Sequence, residues 1–203
     1  MSGYFFVFDG MDGAGKSTAL NGVAASLRHM GHSVVTTREP GGSPLAERIR
    51  ECMLGDWSDG MPLQTELLLV FAARAAHMQH TVLPALARGE IVLCDRFIDS
   101  SHVYQGVLGG IAASWIDQLG TQTIAHLPEA SFIFDLPVEQ ASQRLQQRGI
   151  ENRFDRIDLE RMQTIRDAFA QRAQAPSHHL IDASREQSAV HADVLERIEG
   201  LLA

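Results

Sequence analysis

The sequence predicts a three-layer α/β fold, a five-stranded parallel sheet flanked by helices, and three observations carry that expectation. Short apolar runs alternate with longer segments of helical periodicity. Four of the five runs are nearly continuous in apolar or β-branched residues, as strands covered on both faces of a parallel sheet are. The chain has 203 residues, 45% of them hydrophobic and 21% charged, so it can bury one substantial core.

Taken in order, YFFVF (4–8) is the first strand. Leu20, Val23, Ala24, Leu27 and Met30 then recur at helical spacing and stop at Gly31, a residue type suited to follow a helix end. SVVTT (33–37) is the second strand, and 63–88 reads as one long helical segment. IVLC (91–94) and SFIF (131–134) follow as strands; Val138, Ala141 and Leu145 mark another helix. HLI (179–181) is the fifth strand, and Val190, Val194, Ile198 and Leu201 the last helix. Strand–helix–strand repetition of this kind gives a parallel sheet with right-handed crossovers. No internal repeat, low-complexity tract or linker divides the chain, so residues 1–203 are expected to form a single domain.

Composition narrows the function. A formal net charge of −8 argues against non-specific binding to nucleic acid or to an anionic membrane, although local arginines can still hold a small anion. Cys52 and Cys94 lack C-x-x-C spacing and are expected to be reduced thiols in or near the core. The first residues carry no basic region ahead of their apolar run, unlike a signal peptide, and no apolar stretch reaches membrane-spanning length. The expected location is the cytoplasm.

Between the first strand and first helix lies Gly10-Met11-Asp12-Gly13-Ala14-Gly15-Lys16-Ser17, which fits G-x-x-x-x-G-K-[ST], the phosphate-binding P-loop. Glycines let successive backbone N–H groups converge on an anion, and the helix N-terminus adds its positive dipole end. Lys16 is suited to the β- and γ-phosphates and the Ser17 hydroxyl to Mg²⁺. The bland alternative is a glycine turn capped by Ser17 or Thr18; the strand before and helix after meet the context that a P-loop requires. Asp95-Arg96-Phe97 follows the strand IVLC, so Asp95 stands where a parallel sheet presents residues to ligands, and can serve Mg²⁺. A guanine-reading N-K-x-D is missing from the sequence, which disfavours a switch GTPase. Small kinases remain, and these need arginines that converge on a second anion. Arg38, Arg74, Arg96, Arg148, Arg153 and Arg156 are the candidates, with solvated or snorkelling side chains as the alternative for several.

The motifs together resemble the thymidylate kinase family. They are the loop DGMDGAGKST, Arg38-Glu39-Pro40-Gly41-Gly42, Asp95-Arg96 followed by Ser100, Ser101 and YQG (104–106), and the stretch from Asp135 to Arg144 close to D-x-P-x-E-x-A-x-x-R. They run from residue 5 to about 156 in family order; the tail is similar only in pattern. The resemblance implies ATP-dependent phosphorylation of thymidine monophosphate (dTMP), with Mg²⁺, in a homodimer. It implies that residues 10–18 (Gly10, Met11, Asp12, Gly13, Ala14, Gly15, Lys16, Ser17, Thr18), with Arg148 and Arg153, hold ATP. Ser17 and Asp95 would serve the metal. Asp12, Arg38, Phe71, Arg74, Arg96, Ser100, Ser101, Tyr104 and Gln105 would form the dTMP site.

Within that site Arg38 and Arg96 are implied to fork the phosphate and Phe71 to stack on thymine, a plain core Phe being the alternative. Arg74 and Ser101 are implied to read the base edge, Tyr104 to crowd the ribose 2′ position, and Gln105 to lie near base or ribose. Lys16, Arg96, Asp12 and Arg153 are the implied catalytic set. Gly13 stands where some members carry an arginine, so a mobile lid at about 148–158 must supply that charge. Arg153 aligns best, with Arg148 and Arg156 behind it. The chain departs from the family at Asp9, usually glutamate and one methylene longer. Two other readings stay open, a kinase for a different nucleoside monophosphate and a non-catalytic nucleotide-binding regulator.

Overall fold

A computed structural model describes residues 3–148 and 158–203, and for Arg148 the backbone only. Five parallel strands form one sheet in the order β2-β3-β1-β4-β5. They are β1 (Tyr4–Gly10), β2 (Val34–Arg38), β3 (Ile91–Asp95), β4 (Ala130–Asp135) and β5 (His178–Asp182). Each predicted strand is present, and its C-terminal end runs past the apolar run into a polar residue or glycine. Those extra residues are the ones with chemistry. Register pairs Phe8 with Asp95 and Arg38 with Asp95, so three neighbouring strands deliver Asp9, Asp95 and Arg38 to one sheet edge.

The side chains of β1 alternate between two cores, as a strand's period of two requires. Phe6 and Phe8 pack with Leu20, Val23 and Leu27 of α1 (Lys16–His29) and with residues of the later helices. Phe5 and Val7 pack on the opposite face with Met78, Val82, Ala85 and Leu86. Both faces are therefore covered at the centre of the sheet, which is why β1, β3 and β4 read as nearly unbroken apolar sequence, while the edge strands β2 and β5 are only partly buried.

The segment expected as one helix over 63–88 is α3 (Leu63–His77), a π-helical turn (Met78–Val82) and α4 (Leu83–Ala87). Pro84 lacks the N–H that would continue the α ladder, and the wide turn ahead of it makes room for its ring. A second π-helical turn, His102–Leu108, follows the short α5 (Ile98–Ser101). The remaining helices are α2 (Pro44–Leu54), α6 (Ala113–Thr123), α7 (Val138–Arg148), α8 (Leu159–Arg172) and α9 (Gln187–Leu202). Ser43 caps α2 through Ala46 N–H with Pro44 beginning the helix, and Asp158 caps α8 through Arg161 N–H at 2.8 Å. Cys94 is buried on β3, but Cys52 is exposed on α2, so the expectation of core thiols holds only for Cys94. Among the described residues no helix is long and apolar enough to cross a membrane.

Asp99 of α5 is buried and joins two distant elements. It accepts from Arg172 Nε of α8 at 2.6 Å and meets His178 Nε2 of β5 at 3.0 Å. Burial alone would raise its pKa, but the His178 hydrogen bond and the Arg172 charge outweigh it and hold the carboxyl below the usual 3.8. A carboxyl depressed in the folded state stabilises above its unfolded pKa, and that contribution is lost as pH falls through the folded value. Asp99→Asn is therefore expected to cost about 2–4 kcal/mol at pH 7. The gap to the unsubstituted chain should shrink below pH 3.8. Denaturant melts of both at pH 7 and pH 3 check this, and a gap that persists unchanged at low pH contradicts it.

Candidate active site

The glycine loop begins at the end of β1 and closes on the first turn of α1. Gly13 has φ 81°, and a Cβ there would stand 2.8 Å from the Ala141 carbonyl oxygen of α7, so only glycine fits. Lys16 is buried at 6% exposure and its Nζ donates to the Met11 carbonyl at 2.8 Å. Burial, then the nearby Arg96 charge, lowers its pKa; an arriving polyphosphate would favour the ammonium. The Ser17 hydroxyl donates to Asp95 Oδ2 at 2.5 Å. Two hard oxygen donors side by side at the loop suit Mg²⁺, which takes one or two protein oxygens and fills its other positions with phosphate and water. Among the described residues no group of three or more His, Cys, Asp or Glu side chains gathers for a metal.

The loop lines a cleft of about 1170 Å³ that runs over Thr18 and Arg144 towards Ala183, Arg185, Gln187 and Val190. Sequence reasoning missed this far wall. Arg144 donates to the Gly13 carbonyl at 3.3 Å, and Arg185 pairs with Asp193 at 2.5 Å. The available signal was topological: the turn after the last strand lies at the same sheet edge as the glycine loop.

A second cleft of about 690 Å³ opens beside the first, and Asp12 lines both. Arg96 stands at the junction. Its backbone is left-handed at φ 73°, uncommon for a residue with a side chain. Its guanidinium donates to Asp12 Oδ1 at 2.6 Å, to Ser100 Oγ at 2.9 Å and to the Gly10 carbonyl at 3.3 Å, and lies 5.3 Å from the centroid of the Tyr104 ring. Burial alone would lower its pKa, but the carboxylates of Asp12 and Asp9 hold it above the usual arginine value. Tyr104 also reaches Asp12 Oδ2 at 3.4 Å; burial, then the Asp12 charge, raises its pKa.

Asp9 holds this turn in place. Fully buried, it accepts from Gly10 N at 2.9 Å, Phe97 N at 3.1 Å, Ser100 N at 3.1 Å and Ser100 Oγ at 2.7 Å. The shorter acid thus contacts the Arg96 turn directly. Ser100 passes the restraint on, giving its proton to Asp9 and accepting from Arg96.

Two expectations for this cleft look different in the structure. Arg38 is more than half exposed, pairs with Glu47 at 3.0 Å, and is not among the residues lining the cleft. Arg50 of α2 does line it, and its pKa is lowered by burial and then by the charges of Arg38 and Arg96. Arg50 and Arg96 thus line the same cleft. Phe71, implied as a thymine stacker, is 2% exposed and packs on Leu67 and Ile116, its ring 4.6 Å from the Arg74 guanidinium. Val70, one position earlier, lines the cleft with Pro40, Met53, Leu54 and Phe97. Position 71 points to the core because α3 turns 100° per residue and its cleft-lining stripe runs through 70 and 74.

Arg74 is held through two of its three guanidinium nitrogens. Its Nε donates to Glu39 at 2.6 Å and its Nη2 to Ser101 Oγ at 3.1 Å, while Glu39 also takes His77 Nδ1 at 2.9 Å. Behind them Gly42, at φ 82°, leaves room where a Cβ would collide with Thr37 Oγ1 at 2.3 Å. Nη1 of Arg74 is buried with no hydrogen-bond partner among the described residues, in a side chain that lines the cleft. A buried donor left unpaired is costly, so this N–H is open to an acceptor from outside the protein, a water or a ligand. Gln105 lines the same region and donates its Nε2 to Glu66 at 2.7 Å. Arg153 and Arg156, with the expected lid, lie outside the described residues, as does the side chain of Arg148.

The family model for thymidylate kinase matches residues 8–194. A thymidylate kinase of Pseudomonas putida is 45% identical over 205 aligned positions, spanning 100% of this chain and 98% of the relative. One of Ectopseudomonas mendocina is 46% identical with the same coverage. The crystal structure of thymidylate kinase from Ehrlichia chaffeensis superposes with a TM-score of 0.79 at 32% identity, covering 98% of this chain and 99% of that one. With its parallel sheet, glycine loop and arginine-lined second cleft, this chain belongs to the thymidylate kinase family.

Proposed function

We propose that this chain transfers the γ-phosphoryl group of ATP to dTMP, yielding ADP and thymidine diphosphate. The observation that carries the reading is the meeting of two clefts at Asp12, one built on the glycine loop and the other on arginines. ATP lies along the first, its β- and γ-phosphates on the loop amides and Lys16, which releases the Met11 carbonyl to reach them. Ser17 and Asp95 would hold Mg²⁺, which would supply positive charge to offset that of the nucleotide phosphates. The dTMP phosphate lies against Arg96 and Arg50, with Arg38 at the cleft mouth. An oxygen of that phosphate attacks the γ-phosphorus while the bond to the β–γ bridging oxygen breaks and ADP leaves. The acceptor is already an anion, so no general base is required; alignment and charge neutralisation carry the step.

The base edge meets Arg74. A fixed N–H donor favours a carbonyl such as thymine O4 and disfavours an exocyclic amine, which would leave two donors facing each other. Ser101 supports that donor through its hydroxyl, and Tyr104 borders the sugar, where we assign it the exclusion of a 2′-hydroxyl. Arg153, with Arg148 and Arg156 as neighbours in sequence, supplies the charge that the small-residue loop lacks, from a lid at about 148–158. The reading includes a single catalytic domain, working as a homodimer in the cytoplasm.

Initial velocities over a grid of ATP and dTMP concentrations test it. Intersecting double-reciprocal lines with thymidine diphosphate as product are expected of direct transfer between adjoining clefts. Parallel lines would imply a phosphorylated protein intermediate, and ATP binding without turnover would return the regulator reading.

A further inference from the structure

We propose that Glu66 is a positioning residue that sets which face of the Gln105 amide the nucleobase meets, and so helps to decide the base specificity of the acceptor cleft. The inference rests on the acceptor reading above. Glu66, Val70 and Arg74 are spaced by four on α3 and share one stripe; Val70 and Arg74 line the cleft, and Glu66 continues the stripe beneath Gln105. Glu66 is 5% exposed and Gln105 is 4% exposed, and Gln105 Nε2 donates to Glu66 Oε1 at 2.7 Å. Gln105 sits in the π-helical turn His102–Leu108, whose extra residue per turn carries the side chain across to α3.

An amide side chain can present either its carbonyl or its NH₂ to a ligand, and the two ends fit opposite partners. The carboxylate resolves the choice, since a carboxylate oxygen against the Gln105 carbonyl at that distance would be repulsive. With Nε2 committed to Glu66, the end left for the cleft is Oε1, which no protein donor among the described residues reaches. The cleft therefore offers one fixed acceptor, Gln105 Oε1, and one fixed donor, Arg74 Nη1. That pair complements a keto pyrimidine, whose ring N3–H donates and whose O4 accepts. A cytosine edge carries the reverse pattern, an accepting N3 beside a donating amine, and mismatches at both places.

The test is steady-state kinetics of Q105A, E66Q, the double variant E66Q/Q105A and the swap E66Q/Q105E. It uses dTMP and deoxycytidine monophosphate as acceptors, with KM for ATP and the melting temperature as controls. E66Q is isosteric and keeps an oxygen for the bond, but it allows both amides to turn over. It is expected to raise KM for dTMP about tenfold and to reduce the preference over the cytosine nucleotide by about the same factor. The turnover number and KM for ATP should stay within about twofold. The double variant should be no worse than Q105A, because both substitutions remove one interaction. The swap should recover most of the dTMP affinity, since the amide introduced at 66 donates to the carboxylate introduced at 105, which again presents an acceptor. Q105E alone, which sets two carboxylates together, should be worse than Q105A and reads the same contact should E66Q fold poorly.

If Q105A raises KM for dTMP while E66Q leaves it unchanged, Glu66 does not position the amide and the inference fails. If E66Q lowers the melting temperature, raises both KM values and is not rescued by the swap, Glu66 is only structural. If Q105A itself has no effect, Gln105 does not meet the base, and the inference falls with that reading. Failure of the unsubstituted chain to phosphorylate dTMP at all is a separate result, and is failure of the proposed function.

Discussion

Arg96→Lys is expected to lower kcat/KM for dTMP by about a hundred- to a thousandfold while leaving ATP affinity within about threefold. The guanidinium at this position makes three side-chain or backbone bonds at once, to Asp12, Ser100 and Gly10, and rests against Tyr104. Lysine keeps the charge and bears the same left-handed backbone, but its ammonium is a point donor on a flexible stem. It cannot hold Asp12 and an incoming phosphate in one plane. The substitution therefore separates charge from geometry. Steady-state kinetics with dTMP varied, together with ATP titration by calorimetry, read the two effects apart. A loss below about fivefold would place the acceptor phosphate elsewhere in the cleft.

Arg153→Ala is expected to lower kcat by about a thousandfold or more, with ATP affinity within a few fold. Charge on the migrating phosphoryl group needs a cation besides Lys16, and residues 10–15 of the loop contain none. The described arginines nearby have other partners: Arg96 holds Asp12, Arg144 the Gly13 carbonyl and Arg185 Asp193. A cation brought in with the substrates also leaves the clefts open for exchange between turnovers. Arg148→Ala and Arg156→Ala should cost less. Single-turnover phosphoryl transfer is the readout, because it isolates chemistry from product release. Equal, small losses in all three variants would move the transferring charge out of this segment.

Much of the fold was legible because buried parallel strands are written in unbroken apolar residues. The strand ends were less so, since Asp9, Asp95 and Arg38 break the apolar pattern while still pairing in the sheet. The helical stretch 63–88 hid a π-helical turn; its residues fit a continuous helical pattern, and the consequence of Pro84 depends on the room around its ring. In the site, the glycine loop with Lys16 and Ser17 was readable from spacing, and Asp95 from its place at the end of a strand beside that loop; the role expected of Arg96 came from the family resemblance.

What stayed hidden has a shared cause: it depends on rotation about a helix axis or on elements far apart in sequence. Val70 and Phe71 differ by one helical step, and only packing shows that the valine lines the cleft while the phenylalanine supports Arg74. Arg50 sits in LAERIREC, where alternating charges read as a solvated helix face. The bond between Gln105 and Glu66 crosses 39 positions and leaves no local pattern. Asp9 differs from the usual acid by a methylene, and only the geometry shows that it reaches the Ser100 turn directly.

The most direct test of the central claim is kcat/KM for each deoxynucleoside monophosphate in turn, with ATP and Mg²⁺ saturating and products identified by mass. Two clefts joined at Asp12, with a fixed donor at Arg74, require that dTMP exceed deoxycytidine, deoxyadenosine and deoxyguanosine monophosphates by about a hundredfold or more. Comparable rates for the cytosine nucleotide, or a purine nucleotide as the best acceptor, would contradict the assignment of the acceptor cleft.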